Sequence, residues 1–336
     1  MKKVSVIMPV YNEARYIKRC IDSLLQQDYP QENMEWIFVD GMSSDNTKEI
    51  IRQYQMKYTD LIRVFDNEKK IVPCAMNIGI KNAEGKYIIR LDAHADYAED
   101  YISKCVHYLD TMDADNVGGL AETKSSGFVG NTIAMMLSSK FGVGNSQFRT
   151  NGKSGYVDTV PFGAFRKEVF DKWGGYDERL VRNQDIELNY RIRKNGGKVY
   201  LSSDIHLSYY CRDTLRGVSK LALTDGKWNI ITMNLCPGSM GIRHFVPLCF
   251  VLSLIMLPLI AIFVCKYIWI LFMIEILLYL LCDIIFSAVA AKGIKPFMLL
   301  LVLFPVFHIS YGVGSLKGIV CVVKNSLIRG KKDDII

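Results

Sequence analysis

Asp92, His94 and Asp96 alternate in the stretch YIIRLDAHAD, residues 87–96, just after an apolar run that ends at Leu91. In an extended exit from a strand, residues two apart share a face. Asp92 and His94 are thereby placed to reach one ion together, with Asp96 nearby. A divalent ion held by two side chains keeps positions open for phosphate oxygens and water, as Mg²⁺ does. The imidazole also suits Mn²⁺. The plainer reading, equally open on these residues alone, makes Asp92 a helix cap and His94 a polar loop residue.

Two further acidic sites stand out. In VDGMSSDNT, Asp40 closes an apolar run and precedes a run with capping residues. A carboxylate there can accept hydrogen bonds from a base imide or from ribose hydroxyls; a turn Asp holding local backbone N–H groups is the plainer alternative. In NQDIEL, Asp185 and Glu187 fall near a helix start, where the dipole favours the ionised form. An ionised carboxylate can serve as general base toward a sugar hydroxyl, although acidic residues at helix starts are more often capping groups. The N-terminal part holds no G-x-x-x-x-G-K-[ST] and no G-x-G-x-x-G, so a metal has to neutralise any diphosphate. No Cys-His or Ser-His-Asp arrangement suggests an enzyme nucleophile.

The elements that must position these residues follow from periodicity. Strands are expected at 4–10, 36–39, 62–65 and 87–91. Helices are expected at 16–27, after SSDNT, and at 74–82. Helix-length connections between strands imply a doubly wound, mostly parallel α/β sheet. Such sheets bind ligands at the carboxyl ends of their strands, where Asp40, Asp92 and His94 fall. Further helices are expected at 100–112, at 167–173, and from Gln184 to the glycine pair that ends NQDIELNYRIRKNGG. The Gly-, Ser- and Asn-rich stretch 122–160 reads as a long loop, with a role as a lid over the acceptor.

The 336 residues carry a formal charge of +7 and are 50% hydrophobic. The charge is mild: it fits a protein near anionic lipid or phosphorylated ligands, solubility alone also explains it, and no nucleic-acid partner is expected. The nine cysteines form no Cys-x-x-Cys pair and read as buried small side chains in a reducing compartment. The opening MKKVSVIMPVYNE has too short an apolar run for a signal peptide and reads as a first strand, which keeps the N-terminal part cytosolic. After His244 the chain becomes almost wholly apolar, with runs at about 245–265, 267–291 and 297–323. The first two are long enough to span a bilayer. The third holds Pro305, His308, Gly312 and Gly314 and is expected to lie in the interface. Lys292, Lys295, Arg329, Lys331 and Lys332 favour the cytoplasmic side. Two regions result: a cytoplasmic domain over 1–230, and an all-α membrane-associated segment over 231–336.

The ordered set IMPVYNE, VDGMSSDNT, NIGIKNAEGKYIIRLDAHA, GAFRKEVF, GGYDERL and NQDIELNYRIRKNGG resembles the family-2 glycosyltransferases over about the first 230 residues. Asp-x-His in place of the usual Asp-x-Asp looks most like the bacterial succinoglycan-type exopolysaccharide glucosyltransferases, and FHISYGVGSLKG in the tail resembles theirs. The resemblance implies a GT-A fold and inverting transfer from a nucleotide sugar, usually a UDP-sugar. By the same resemblance Pro9, Tyr11 and Glu13 border the nucleotide pocket, and Asp40 contacts the base. Asp92 and His94 form the metal and diphosphate motif, with Mg or Mn as cofactor. Asp185 is the catalytic base. The Q-x-x-R-W of processive synthases is missing. The nearest match, TDGKWN, offers Lys227 as a point charge for the diphosphate; a surface lysine is the plainer reading. The expected acceptor is a lipid-linked, polyprenyl-diphosphate saccharide at an inner or plasma membrane, with His308 and Lys317 able to attract its phosphates. Rival readings are a polyprenyl-phosphate sugar synthase, a processive polysaccharide synthase, and a non-catalytic nucleotide-binding membrane scaffold.

Overall fold

The computed structural model describes residues 3–150 and 152–333, with side chains through residue 326. Strand and helix alternate through the first part: β1 (Val4–Val10), α1 (Ile17–Leu24), β2 (Met34–Asp40), α2 (Thr47–Lys57), β3 (Ile62–Asp66), α3 (Val72–Asn82) and β4 (Tyr87–Arg90). β1 lies between β2 and β4, β3 pairs with β2, and all three pairings are parallel. β2 is buried along its whole length, as a strand covered on both faces must be.

Side-chain parity assigns the covers. Val4, Val6, Met8 and Val10 of β1 share a core with Ile17, Ile21 and Leu24 of α1 and with Ile51 of α2. Ile7 points the other way, into a core with Ile37, Val39, Ala75 and Met76. α3 approaches β1 so closely that a Cβ on Gly79 would lie 2.4 Å from Ile7 Cγ2.

The sheet continues with antiparallel strands that the sequence did not announce. After β5 (Ala95–Tyr97) and α4 (Tyr101–Thr111) come β6 (Asn116–Lys124), α5 (Gly127–Leu137), α6 (Lys140–Val143), β7 (Gly155–Tyr156) and β8 (Ala164–Arg166). Then follow α7 (Glu168–Trp173), α8 (Gln184–Lys194) and β9 (Val199–Tyr210). The strand order is β3-β2-β1-β4-β8-β6-β9-β5, with β7 on β9. β8 is antiparallel to both β4 and β6. α4 covers the α1 face and α7 and α8 the α3 face.

Residues 1–122 and 147–210 form one compact unit. The second unit takes 123–146 and 211–336, so it includes α5, α6 and α9 (Leu215–Leu235) besides the apolar tail; the sequence reading drew the division at 230. The stretch read as a loop over 122–160 thus holds two helices. α5 buries Ile133, Met136 and Leu137, and its glycines mask the helical period in the sequence.

In the second unit, α10 (Val246–Phe263), α11 (Ile268–Ala290) and α12 (Ile294–Asp333) follow. Among the described residues three helices are long and apolar enough to cross a membrane by length and composition: Val246–Phe263, Ile268–Ala290 and Ile294–Ser326. The third segment is therefore one continuous helix through Pro305, where the sequence reading laid it in the interface. Its small residues serve packing. A Cβ on Gly314 would lie 2.2 Å from the Leu223 carbonyl oxygen, and one on Gly318 2.6 Å from that of Lys227. Ser219 and Ser310 share a hydrogen bond of 2.8 Å across the same pair of helices. His308 is buried: its Nε2 meets the Phe141 carbonyl at 2.9 Å and its Nδ1 the Tyr279 hydroxyl at 3.0 Å. Both ring nitrogens are thus engaged inside the helix packing, which corrects the expectation that His308 attracts a lipid phosphate. The side chains of Arg329, Lys331 and Lys332 lie outside the described residues.

Candidate active site

The site is built at the carboxyl ends of the parallel strands of the first unit. The loop after β1 is stitched to the loop after β2. Asn12 takes a left-handed backbone (φ 55°). Its N–H donates to Ser43 Oγ at 2.9 Å, and its Oδ1 accepts from the Ser44 N–H at 2.8 Å. The Glu13 N–H donates to Thr47 Oγ1 at 2.7 Å, and the Ala14 N–H to Asp45 Oδ2 at 3.1 Å. The motifs PVYNE and VDGMSSDNT therefore form one surface. Tyr11 projects from it at 49% exposure, and Pro9 is half-buried beneath.

Asp40 is fully buried, and its two oxygens accept from the Ser43 N–H at 3.0 Å and the Ser43 hydroxyl at 2.6 Å. It holds the turn after β2.

Arg90 ends β4, in register with Ile7 of β1. Its side chain is 7% exposed and carries two carboxylates. Nη1 donates to Asp185 Oδ1 at 2.5 Å. Nε and Nη2 approach Asp92 at 3.3 Å and 3.4 Å. Burial works against the Arg90 charge, yet Asp185 and then Asp92 outweigh it and raise the guanidinium above its usual range. The motif after β4 and the motif that starts α8 thus meet on one buried cation. Sequence reasoning missed Arg90; the only local signal was a lone arginine inside an apolar strand, which must find anions when buried.

Asp185 is aimed by the pinning of its helix. Asn183, left-handed at φ 62°, turns the chain into α8. Arg191 of α8 donates to the Gly174 carbonyl at 3.2 Å and the Gly175 carbonyl at 2.8 Å, and its charge pairs with Glu187 at 2.7 Å. Glu187 is thereby committed to its own helix, whereas Asp185 turns to Arg90. Asn77 of α3 bonds Tyr176 twice, donating to its carbonyl at 2.9 Å and accepting its N–H at 2.8 Å. Tyr176 is buried; that burial, and then Asp185, push its hydroxyl above the usual range and keep it protonated.

The alternation expected for Asp92, His94 and Asp96 is not found. β4 stops at Arg90, and residues 92–94 form a turn in which the Asp92 N–H donates to the Tyr97 hydroxyl at 2.7 Å. Each side chain goes to a different partner: Asp92 to Arg90, His94 Nδ1 to Glu13 Oε1 at 3.4 Å, and Asp96 to Arg19 and to the Tyr210 hydroxyl, the latter at 2.7 Å. The turn replaces the two-residue period, so Asp96 leaves the group. Among the described residues no three His, Cys, Asp or Glu side chains converge as a complete metal site. One carboxylate and one imidazole, partly exposed at 18% and 37%, fit a divalent cation as a partial set that diphosphate oxygens and water complete. Lys227 lies on α9, in the second unit.

Residues 5–174 match the family described as glycosyl transferase family 2. A dolichyl N-acetyl-alpha-D-glucosaminyl phosphate 3-beta-D-2,3-diacetamido-2,3-dideoxy-beta-D-glucuronosyltransferase of Methanococcus voltae is 31% identical over 67% of this chain and 72% of its own length. The succinoglycan biosynthesis protein ExoA of Rhizobium meliloti is 31% identical over 62% of this chain; the chain spans 64% of that relative. Among solved structures, the mannosyltransferase PcManGT of Pyrobaculum calidifontis, in complex with GDP-Man and Mn²⁺, shares the GT-A fold at a TM-score of 0.64 and 17% identity, covering 94% of this chain and 87% of that one. The chain belongs to glycosyl transferase family 2: it is a nucleotide-sugar glycosyltransferase of glycan biosynthesis.

Proposed function

We propose that the enzyme moves one sugar from a nucleoside-diphosphate sugar, a UDP-sugar by the family resemblance, to a hydroxyl of a lipid-linked saccharide, with inversion at the anomeric carbon. The observation that carries this reading is the sharing of Arg90 by Asp92 and Asp185. A group suited to the diphosphate end and a group suited to the acceptor end flank one point.

In this reading the nucleotide lies against Pro9, Tyr11 and Glu13, on the turn that Asp40 holds. When bound, a divalent cation would be held by Asp92, with His94, and would offset the diphosphate charge as a Lewis acid on the leaving oxygen. Asp185 accepts the proton of the acceptor hydroxyl at Oδ2 while Arg90 keeps Oδ1. The hydroxyl oxygen then attacks the anomeric carbon in line as the nucleoside diphosphate departs. Base assistance of this kind contributes about 10²–10⁴ in rate.

A lipid-linked acceptor is supported by the three apolar helices and by the relative named for a dolichyl phosphate acceptor. The cytoplasmic side is supported by Lys292 and Lys295. Crossings by α10 and α11 are even in number, so residues 291–295 share a side with the chain that precedes α10, and positive residues mark the cytoplasm.

The test uses membranes carrying the full chain, supplied with UDP-sugars, GDP-sugars and extracted lipid-linked saccharides, and read by mass spectrometry of the lipid fraction. Gain of a single sugar residue from a UDP-sugar, abolished by Asp92→Asn and by Asp185→Asn, is the expected result. Polymer, or transfer that needs neither residue, would overturn it.

A further inference from the structure

Arg90 holds its two carboxylates unequally. The Asp185 contact lies within direct hydrogen-bond distance, whereas the Asp92 contacts, at 3.3–3.4 Å, are long for a charge-assisted hydrogen bond. Asp185 is the firm partner and Asp92 the loose one. A guanidinium is a planar fork that offers several donors and keeps its charge, so it can release one anion and still hold the other. The Asp92 side chain, 18% exposed, is reachable from solvent.

We propose that Arg90 is a positioning residue that fixes Asp185 through Oδ1 and occupies Asp92 in the donor-free enzyme, releasing it when cation and diphosphate arrive together. The inference rests on the reading of Asp92 as a cation ligand. A cation alone has to displace a buried guanidinium and gains one carboxylate and one imidazole. A cation already carrying a diphosphate brings its own oxygen ligands and binds despite that cost. Arg90 thereby disfavours loading of the metal before the donor, and no bond is made or broken in this exchange beyond ion pairs and contacts of the metal with oxygen and imidazole nitrogen.

The probe is Mn²⁺ alone, titrated by electron paramagnetic resonance into the full chain in detergent without nucleotide. Arg90→Gln is expected to tighten Mn²⁺ binding about tenfold, the low end of the effect of groups that contact metal ligands. Adding Asp92→Asn to that variant should abolish the gain. In transfer assays Arg90→Gln should lower kcat at least about tenfold, because Asp185 loses its aim, with the donor KM not raised, because the cost of freeing Asp92 is gone. Arg90→Lys keeps the buried charge and can face one carboxylate at a time. It should restore part of the kcat and still bind Mn²⁺ more tightly than wild type, and it serves if the Gln variant does not fold. Mn²⁺ binding unchanged or weakened in both Arg90 variants overturns this inference and leaves the proposed function standing. Tightening that persists in the Arg90→Gln, Asp92→Asn double variant overturns both, since Asp92 is then not the ligand released.

Discussion

Asp185→Asn removes a proton acceptor and almost nothing else from the outline of the site. An Asn carbonyl oxygen can still accept from Arg90 Nη1, which stands 2.5 Å from Oδ1, so the side chain keeps its place on α8. What it loses is basicity at the second oxygen. A positioned general base contributes about 10²–10⁴ in rate, or about 3–5 kcal/mol on the barrier at ~1.4 kcal/mol per tenfold. Arg90 also loses one of its two anions. Asp92 remains, and the Asp185 side chain is 34% exposed, so water reaches the gap and the stability cost stays well below the ~3–5 kcal/mol of a fully buried broken pair. The expected outcome is turnover reduced about thousandfold, with UDP affinity within about threefold of wild type. The assay pairs transfer of labelled sugar to the lipid acceptor with calorimetric UDP binding. Retention of more than about a tenth of wild-type turnover would refute the assignment. So would a loss explained wholly by weaker nucleotide binding.

Three further perturbations follow from the geometry. Gly314→Ala places a methyl group 2.2 Å from the Leu223 carbonyl oxygen of α9, and overpacking of this kind costs about 1–3 kcal/mol. The thermal transition of the full chain in detergent should fall, whereas Gly155→Ala, with nothing within 4 Å of the added carbon, should not change it. Ser43→Ala removes the hydroxyl that donates to Asp40 and accepts from the Asn12 N–H; stability should drop by about 1–3 kcal/mol and nucleotide binding should weaken with it. Glu178 is hydrogen-bonded by Lys69 and then by Asn77, which lowers its carboxyl to about 2 from 4.5. A depressed folded value stabilises above the unfolded pKa and is lost as pH falls through the folded one. Glu178→Gln should therefore lower the melting temperature at pH 7, by an amount that shrinks between pH 4.5 and about 2. The pair is exposed, so the effect stays below about 1 kcal/mol.

The parallel half of the sheet was legible because local chemistry writes it. β1 to β4 are short apolar runs, α1 and α3 follow helical spacing, and SSDNT marks the entry to α2. The antiparallel half was not, because β5, β7 and β8 are two or three residues long and are fixed by pairing with partners far along the chain. α5 was hidden by its glycines. Gly130 packs where a Cβ would lie 2.4 Å from Ser125 Oγ, and a glycine there reads as loop. α12 was laid in the interface because of Pro305 and small residues, which in the structure serve close approach to α9.

In the site, the residue types were legible and the directions were not. Asp92 and Asp185 were picked out by their place after a strand and at a helix start. What joins them is Arg90, a lone charge in an apolar strand whose second anion, Asp185, lies far along the chain. The expected ladder Asp92–His94–Asp96 failed because Tyr97 takes the Asp92 N–H and turns the chain. Asp40 was read as a partner of the base; the sequence did not show that Ser43 donates to both its oxygens.

The central claim is a single in-line displacement assisted by Asp185. Its most direct test is the anomeric configuration of the first product, read by nuclear magnetic resonance from a donor labelled at the anomeric carbon and compared with that donor. A fully inverted linkage is the expected result. A retained linkage would require an intermediate that the roles assigned here to Asp185 and Arg90 do not provide, and would contradict it.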